Sequence, residues 1–402
     1  MSQDKQPDFL IIGAGIIGLS IALELNKQFP ESKITLVEKE SQPGVHASGR
    51  NSGVLHAGFY YTAESLKAKL CRDGNFVWRQ YCEEHKLTIN HCGKLVVARN
   101  QEELNGLDEL YRRGQVNNVE LEMISAAEAA EIEPNAYTHE RAIYSPTTAT
   151  VNPLEVVQSI QQDISDAGIT LLNDTAYIKK SGNQVITSKG NFTPGYFINA
   201  AGLYADKIAR DYGFSQDYKI LPFKGLYLNA HADGLKLKTN IYPVPDLRNP
   251  FLGVHFTVTA ENKTKIGPTA IPAFWRENYT GLDQFNLKEL IDIVGIDVSL
   301  FLENNFGFRK MAFKEMQKYS KKKLVKLAGT LLKNISQQDF KQWGKPGIRA
   351  QLINIKTKQL EMDFKFEGDN KSFHVLNAVS PAFTCAMPFS KLLVAEIKQS
   401  TK

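Results

Sequence analysis

Near the start of the chain, Gly13-x-Gly15-x-x-Gly18 stands between an uncharged apolar run, Phe9 to Ile12, and a stretch with helical spacing through Leu19, Ile21, Ala22, Leu23 and Leu25. A second apolar run, Ile34 to Val37, ends on Glu38. Strand, glycine turn, helix, strand and acid in that order form a βαβ unit of about 30 residues, the start of a Rossmann-like domain. Gly13 permits the tight turn, Gly15 lets a pyrophosphate reach the backbone, and Gly18 lets helix and strand pack closely. The helix N-terminus supplies amide donors and the positive end of its dipole. Glu38 can accept hydrogen bonds from a ribose and would repel a 2′-phosphate. The pattern predicts a dinucleotide held by Gly13, Gly15, Ile16, Ile17, Gly18, Glu38 and Lys39; the bland alternative is a glycine-rich packing turn. The fingerprint does not separate NAD from FAD. Its position in the chain and the polar, Gly-rich loop at 44–58 directly after Glu38 favour FAD, laid out so that its ring reaches a second domain.

A chain of 402 residues predicts two or three domains, or a large one with an insertion. Its 48 Lys and Arg against 43 Asp and Glu leave +5, too balanced for a nucleic-acid partner. Hydrophobic residues at 43% and charged residues at 23% exclude disordered, collagenous and coiled-coil chains. The four cysteines, Cys71, Cys82, Cys92 and Cys385, contain no Cys-x-x-Cys pair, so neither a disulfide framework nor a metal site is expected, and a cytoplasmic location is the default. No apolar run reaches the roughly 18 residues of a membrane span, so any membrane contact is peripheral.

Further along, Ser41 to Tyr61 reads as a structured loop too polar for core, leading to a helix near Glu64 to Cys82. Tyr196 to Asn199 reads as a strand running through Ala200-Ala201-Gly202 into a helix at Leu203 to Asp211. Alternation from Leu221 to Gly267 suggests antiparallel strands, Leu287 to Leu332 helices, and Gly347 to Ile353, Phe364 to Phe366 and Ser372 to Leu376 strands again. A last helix is expected at about Ser390 to Lys398. With no low-complexity linker, interleaved domains are favoured over successive ones.

The run His46 to Tyr61, containing Ser48-Gly49-Arg50-Asn51-Ser52-Gly53-Val54-Leu55-His56-Ala57-Gly58-Phe59-Tyr60-Tyr61, followed by Glu64 to Cys71, closely resembles the L-2-hydroxyglutarate dehydrogenase/oxidase family. These are FAD enzymes of the D-amino-acid-oxidase-like superfamily. The likeness continues through Cys92-Gly93-Lys94-Leu95, Ala201 to Asp206, Ile241 to Asp246, Pro250 to Thr257, Gly347 to Gln351 and Asn377 to Ala382. It implies an α/β fold: a discontinuous Rossmann-like FAD-binding domain (1–88, 150–222, 345–402) with an inserted α+β substrate domain on an antiparallel sheet (89–149, 223–344). It also implies oxidation of L-2-hydroxyglutarate, or a related 2-hydroxy acid, to 2-oxoglutarate by hydride transfer to flavin N5. Electrons would pass to a quinone or other acceptor. Ser48, Arg50, Asn51, Ser52, Gly53, Ala201, Gly202 and the turn Ser380, Pro381, Ala382, Phe383, Thr384 join the cofactor contacts.

Arg50 stands where familiar members carry a histidine, and in some superfamily relatives a histidine near this place is the covalent flavin link, so FAD here is expected to be non-covalent. Lys224 and Leu226 replace an arginine and an acid, and Thr269 an asparagine, in segments that would face substrate. The reaction type survives these changes better than substrate identity does.

Such a reaction needs a base for the hydroxyl proton and cations for carboxylates. His56 and His255, in motifs beside glycines, are equal candidates for the base. Lys224, Arg276 and Arg349 are the candidate anchors, with Tyr60, Tyr61 and Tyr242 as hydrogen-bond donors. His85, His91, His139, His231 and His374 read as surface or structural. The lysine run Lys318 to Lys326 reads as a solvated helix face, with a sharper alternative: a basic amphipathic surface that meets anionic lipid near quinone at the inner membrane. A same-fold amine or amino-acid oxidase and a non-catalytic flavin-binding protein remain alternatives.

Overall fold

The computed structural model describes residues 5–245 and 253–400, with the side chain of residue 306 excepted. Asp246 and the Pro250 to Leu252 part of a second motif lie outside the described residues. The chain divides into two compact units: 1–51, 153–222 and 349–402 form the first, and 52–152 and 223–348 the second. The first crossing between the units comes after Asn51, where the sequence reading puts it after 88. Residues 52–88 therefore belong with the second unit, because Val54–Leu55 pairs with Ala149–Val151, which also pairs with Ile89–Asn90.

The first unit is built on a six-stranded sheet in the spatial order Lys365–Gly368, Ser372–Asn377, Tyr196–Asn199, Phe9–Ile12, Ile34–Val37 and Thr170–Leu172. All neighbours are parallel except the first pair. Phe9–Ile12, Ile34–Val37 and Tyr196–Asn199 are buried at every position, as continuous apolar runs flanked by helices must be. Helix Ile16–Gln28 packs against Pro153–Asp166 and against the last helix, Ala382–Ser400. That last helix begins eight residues before the expected Ser390 and carries Pro388 inside it. His374, held by Asn199 and ringed by Phe197, Tyr212 and Phe214, is structural; burial pushes its pKa down to about 3.

The second unit centres on an eight-stranded sheet: Phe340–Trp343, Leu228–Ala230, Thr264–Gly267, His255–Val258, Asn240–Pro243, Lys94–Val97, Arg141–Ser145 and Glu122–Ser125. It is antiparallel save for the central pair Asn240–Pro243 and Lys94–Val97. Side chains alternate across a strand, so the two faces differ. Leu95, Val97, Ile241, Phe256, Val258 and Ile266 form one core with Leu324, Val325 and Ala328 of helix Lys321–Ala328. Val96, Ile143 and Tyr242 turn the other way, toward Phe59, Tyr60 and helix Gln101–Val116. Residues 53–60 are wholly buried, contrary to the expectation of a loop too polar for core. Among the described residues, no helix is long and apolar enough to cross a membrane.

Candidate active site

In the first unit, the cofactor candidates follow the carboxyl ends of four adjacent parallel strands: Gly13 to Gly18, Glu38 and Lys39, Ala201 and Gly202, and Ser380 to Thr384. That rim is where open α/β sheets bind ligands. Gly13 has φ +102°, and a Cβ there would lie 2.6 Å from the Ala200 carbonyl; a Cβ on Gly18 would lie 1.9 Å from the Gly13 carbonyl. Both glycines therefore serve packing of the turn. Gly15 differs, since only Ser48 Oγ, at 3.1 Å, stands over its Cβ position. The backbone is thus approachable at the one glycine assigned to the pyrophosphate.

Ile16 N–H donates to Ser48 Oγ at 2.8 Å, placing Ser48 over the helix N-terminus. Glu38 Oε2 accepts from Ala14 N–H at 2.8 Å and Oε1 from Glu40 N–H at 3.0 Å, so the acid braces the turn. Lys39 pairs with Glu40 and lies over the Tyr204 ring. Arg50 Nε donates to the Val45 carbonyl and Asn51 Nδ2 to the carbonyls of Ala47 and Ser48, which makes both braces of their own loop. Ser52 and Gly53 fall in the second unit, where their carbonyls accept from Lys265 Nζ and Val151 N–H. An open glycine backbone, a helix N-terminus and an acid on the following strand suit a dinucleotide such as FAD.

In the second unit, Tyr60, Tyr242, His56 and His255 come together. Ile241 pairs with Phe256, so Tyr242 sits opposite His255, and the two rings stack with centroids 3.7 Å apart. Tyr60 lies tilted against Tyr242 at 6.5 Å and stacks on Phe59 at 4.4 Å. His255 Nδ1 lies 2.8 Å from the Gly253 carbonyl. A carbonyl only accepts, so Nδ1 carries the proton and, in the neutral ring, Nε2 keeps its lone pair. Burial, with Lys94 and His255 nearby, holds the His56 pKa well below its usual value, so its ring is neutral near pH 7. Burial raises both the Tyr60 and Tyr242 phenols, keeping them protonated as donors.

Two lysines on this side of the sheet escaped the sequence reading of the site. Lys94 is fully buried, with Nζ 4.8, 4.8 and 4.9 Å from the ring centroids of Phe59, Tyr60 and Tyr242. Its amine has no hydrogen-bond partner, and burial pushes its pKa down to about 7. Lys265 donates to the Ser52 carbonyl at 3.0 Å and lies 4.9 Å over the Tyr227 ring; burial lowers it to about 8. The available signal was a single charge heading the apolar run Lys94-Leu95-Val96-Val97-Ala98.

The three expected anchors differ in their surroundings. Lys224 is buried in the second unit, donates to Asn278 Oδ1 at 3.2 Å, and has its pKa lowered by burial. Arg276 is also buried there, but lies 3.7 Å from Glu289, whose other oxygen accepts from the Arg276 backbone N–H. It already has a resident carboxylate. Arg349 belongs to the first unit. Lys318 corrects the picture of a solvated lysine run: it is buried and paired with Glu315, whereas Lys321, Lys322, Lys323 and Lys326 are exposed.

Residues 8–350 match the family model described as FAD dependent oxidoreductase (DAO). The chain is 33% identical to an Escherichia coli (strain K12) protein named L-2-hydroxyglutarate dehydrogenase, covering 97% of this chain and 93% of that one. It is 36% identical to the mitochondrial L-2-hydroxyglutarate dehydrogenase of Homo sapiens, covering 98% and 89%. Among solved structures, L-alpha-glycerophosphate oxidase from Mycoplasma pneumoniae, with FAD bound, superposes with a TM-score of 0.77 at 22% identity over 98% of this chain and 95% of that one. Glycine oxidase from Geobacillus kaustophilus gives 0.71 at 20% identity over 98% and 95%. Those two likenesses concern the fold. The family model over most of the chain and the kinship to these relatives place the chain in the DAO family of FAD-dependent oxidoreductases, within the group of the L-2-hydroxyglutarate dehydrogenases.

Proposed function

We propose that this enzyme oxidises L-2-hydroxyglutarate to 2-oxoglutarate with non-covalent FAD, and that His255 is the base. The observation that carries the proposal is the buried cluster of the second unit, which joins two histidines, two phenol donors and the Lys94 amine. The bound flavin supplies the hydride acceptor, and the protein does the rest. His255 Nε2 takes the hydroxyl proton, its ring held by Gly253 and by the stack on Tyr242. Tyr60 and Tyr242 donate to substrate oxygens, and Lys224 neutralises a carboxylate. Arg349, on strand Gly347–Asn354, is proposed as a further carboxylate anchor. Arg276 supports the site through its pair with Glu289. His56, with its depressed pKa, stays a neutral neighbour rather than a competing cation.

The test is anaerobic addition of L-2-hydroxyglutarate to the holoenzyme, with the D-isomer and L-amino acids as controls. Loss of the oxidised-flavin absorbance is expected with the L-isomer alone. Persistent colour would overturn the substrate assignment, and bleaching by amino acids would favour an amine oxidase.

For the acceptor we propose a membrane quinone, reached by peripheral docking through helices Leu287–Glu303 and Phe308–Met316. Leu287, Ile291, Val298 and Leu302 are exposed along one stripe of the first helix, and Phe313 and Met316 are exposed on the second beside Lys310 and Lys314. Apolar side chains flanked by cations suit an anionic lipid surface. Co-sedimentation with anionic liposomes at low salt, abolished by Ile291→Glu with Leu302→Glu, is the expected result; unchanged binding by that variant would remove this surface.

A further inference from the structure

Lys94 presents a chemical problem that the reaction assigned above does not use. An ammonium removed from water needs either a counter-ion or hydrogen-bond acceptors, and Lys94 Nζ has neither a hydrogen-bond partner nor any solvent exposure. What surrounds it instead is a three-sided cage of aromatic rings, Phe59, Tyr60 and Tyr242. Ring faces favour a cation over a neutral amine, but more weakly than water does. Among the described residues, the charges that bear on this corner include no carboxylate: the thiols of Cys71 and Cys92 act on Lys94, and Lys94 and His255 act on His56. The cage is thus built for a cation yet lacks the anion that would make the cation stable. Two of its walls, Tyr60 and Tyr242, are the phenols assigned above to the substrate, and Tyr242 also carries His255 on its ring.

We propose that Lys94 is the proton-accepting amine of the substrate site: neutral in the unliganded enzyme, it takes a proton from solvent when a dicarboxylate binds beside the histidines. The missing counter-ion is then the substrate itself. The step balances simply, one solvent proton adding to the Nζ lone pair with no change in oxidation state. Lys94 is a positioning and specificity residue in this role, since it acts through the phenol walls. Because the added charge is called up only by an anion, the site discriminates dicarboxylates from neutral analogues of the same shape. Burial supports the starting state: with a pKa near 7, about nine-tenths of the amine is neutral at pH 8. His56 is neutral as well, so the variants below are chosen to tell the two apart.

This inference rests on the dicarboxylate reading of the site, and the experiment separates the two. Titration calorimetry of the oxidised holoenzyme with 2-oxoglutarate, at pH 8 in phosphate and in Tris, reads proton uptake from the difference in apparent enthalpy. We expect uptake of more than half a proton per site in the wild type. Lys94→Met should bind about tenfold or more weakly with no uptake, and Lys94→Arg, permanently charged, should bind within a few-fold of wild type with no uptake. Binding by the wild type without uptake, or the same uptake in Lys94→Met, overturns the proposal; the latter result would move the proton to His56. Absence of both 2-oxoglutarate binding and flavin bleaching by L-2-hydroxyglutarate would overturn the substrate reading and this inference with it. Bleaching without Lys94-dependent uptake overturns this inference alone.

Discussion

Replacing Lys94 by methionine should stabilise the unliganded protein, and the gain should depend on pH. In the folded state the amine pKa falls from 10.5 to about 7, because burial disfavours the charge. The unfolded chain therefore keeps this proton up to about pH 10, while the folded chain keeps it only below about 7. Between those values unfolding takes up a proton, so wild-type stability from this group is lowest below pH 7 and climbs as pH rises toward 10. At about 1.4 kcal/mol per pKa unit, the full penalty approaches 5 kcal/mol. Methionine fills most of the same volume with no charge to bury, but it forfeits the attraction to three rings and packs imperfectly, which offsets about half of that. The expected net gain is about 2 kcal/mol at pH 6.5, or about 4–8 °C in Tm for a domain of this size. Scanning fluorimetry of both proteins at half-unit steps from pH 6.5 to 9.5 checks it, the gap closing as pH rises. A Tm for Lys94→Met at or below wild type at pH 6.5, or a gap that does not change with pH, would refute the reasoning.

Three other substitutions probe the rest of the molecule. Gly18→Ala puts a Cβ 1.9 Å from the Gly13 carbonyl, so the first helix must lift off its strand; the ratio of flavin to protein absorbance after purification should fall by more than half, and full flavin content would refute the packing role of that glycine. His255→Asn should lower kcat by about 10²–10⁴-fold and flatten the acid limb of the pH–rate profile, with His56→Asn less affected; the reverse order would hand the base to His56. Glu289→Gln removes the carboxylate 3.7 Å from the buried Arg276 guanidinium, which should cost about 3 kcal/mol in urea unfolding, and an unchanged midpoint would show that this pair contributes little.

Local rules made much of the first unit legible. Phe9 to Ile12 and Ile34 to Val37 are strands over the very residues expected, because a continuous apolar run closed by glycine or acid has few other uses. The start of the last helix was not legible locally, since it is packing against Ile16–Gln28 that accompanies the helix through Pro388. The buried stretch 53–60 was misjudged for a related reason. Its glycines, histidine and polar neighbours look solvated, and its place between helix Gln101–Val116 and the sheet is set by pairing with residues nearly a hundred positions away.

The amino-acid sequence alone determined the dinucleotide turn, the family and the residue types available for the chemistry, because a glycine fingerprint and apolar runs act through neighbours close in the chain. Tertiary structure decided which of those residues meet. It stacked His255 on Tyr242, gave Arg276 a partner in Glu289, hid Lys318, and enclosed Lys94 in aromatic rings. Charge, burial and tautomer depend on what surrounds an atom within a few ångströms, and in this protein those surroundings come from strands far apart in the chain.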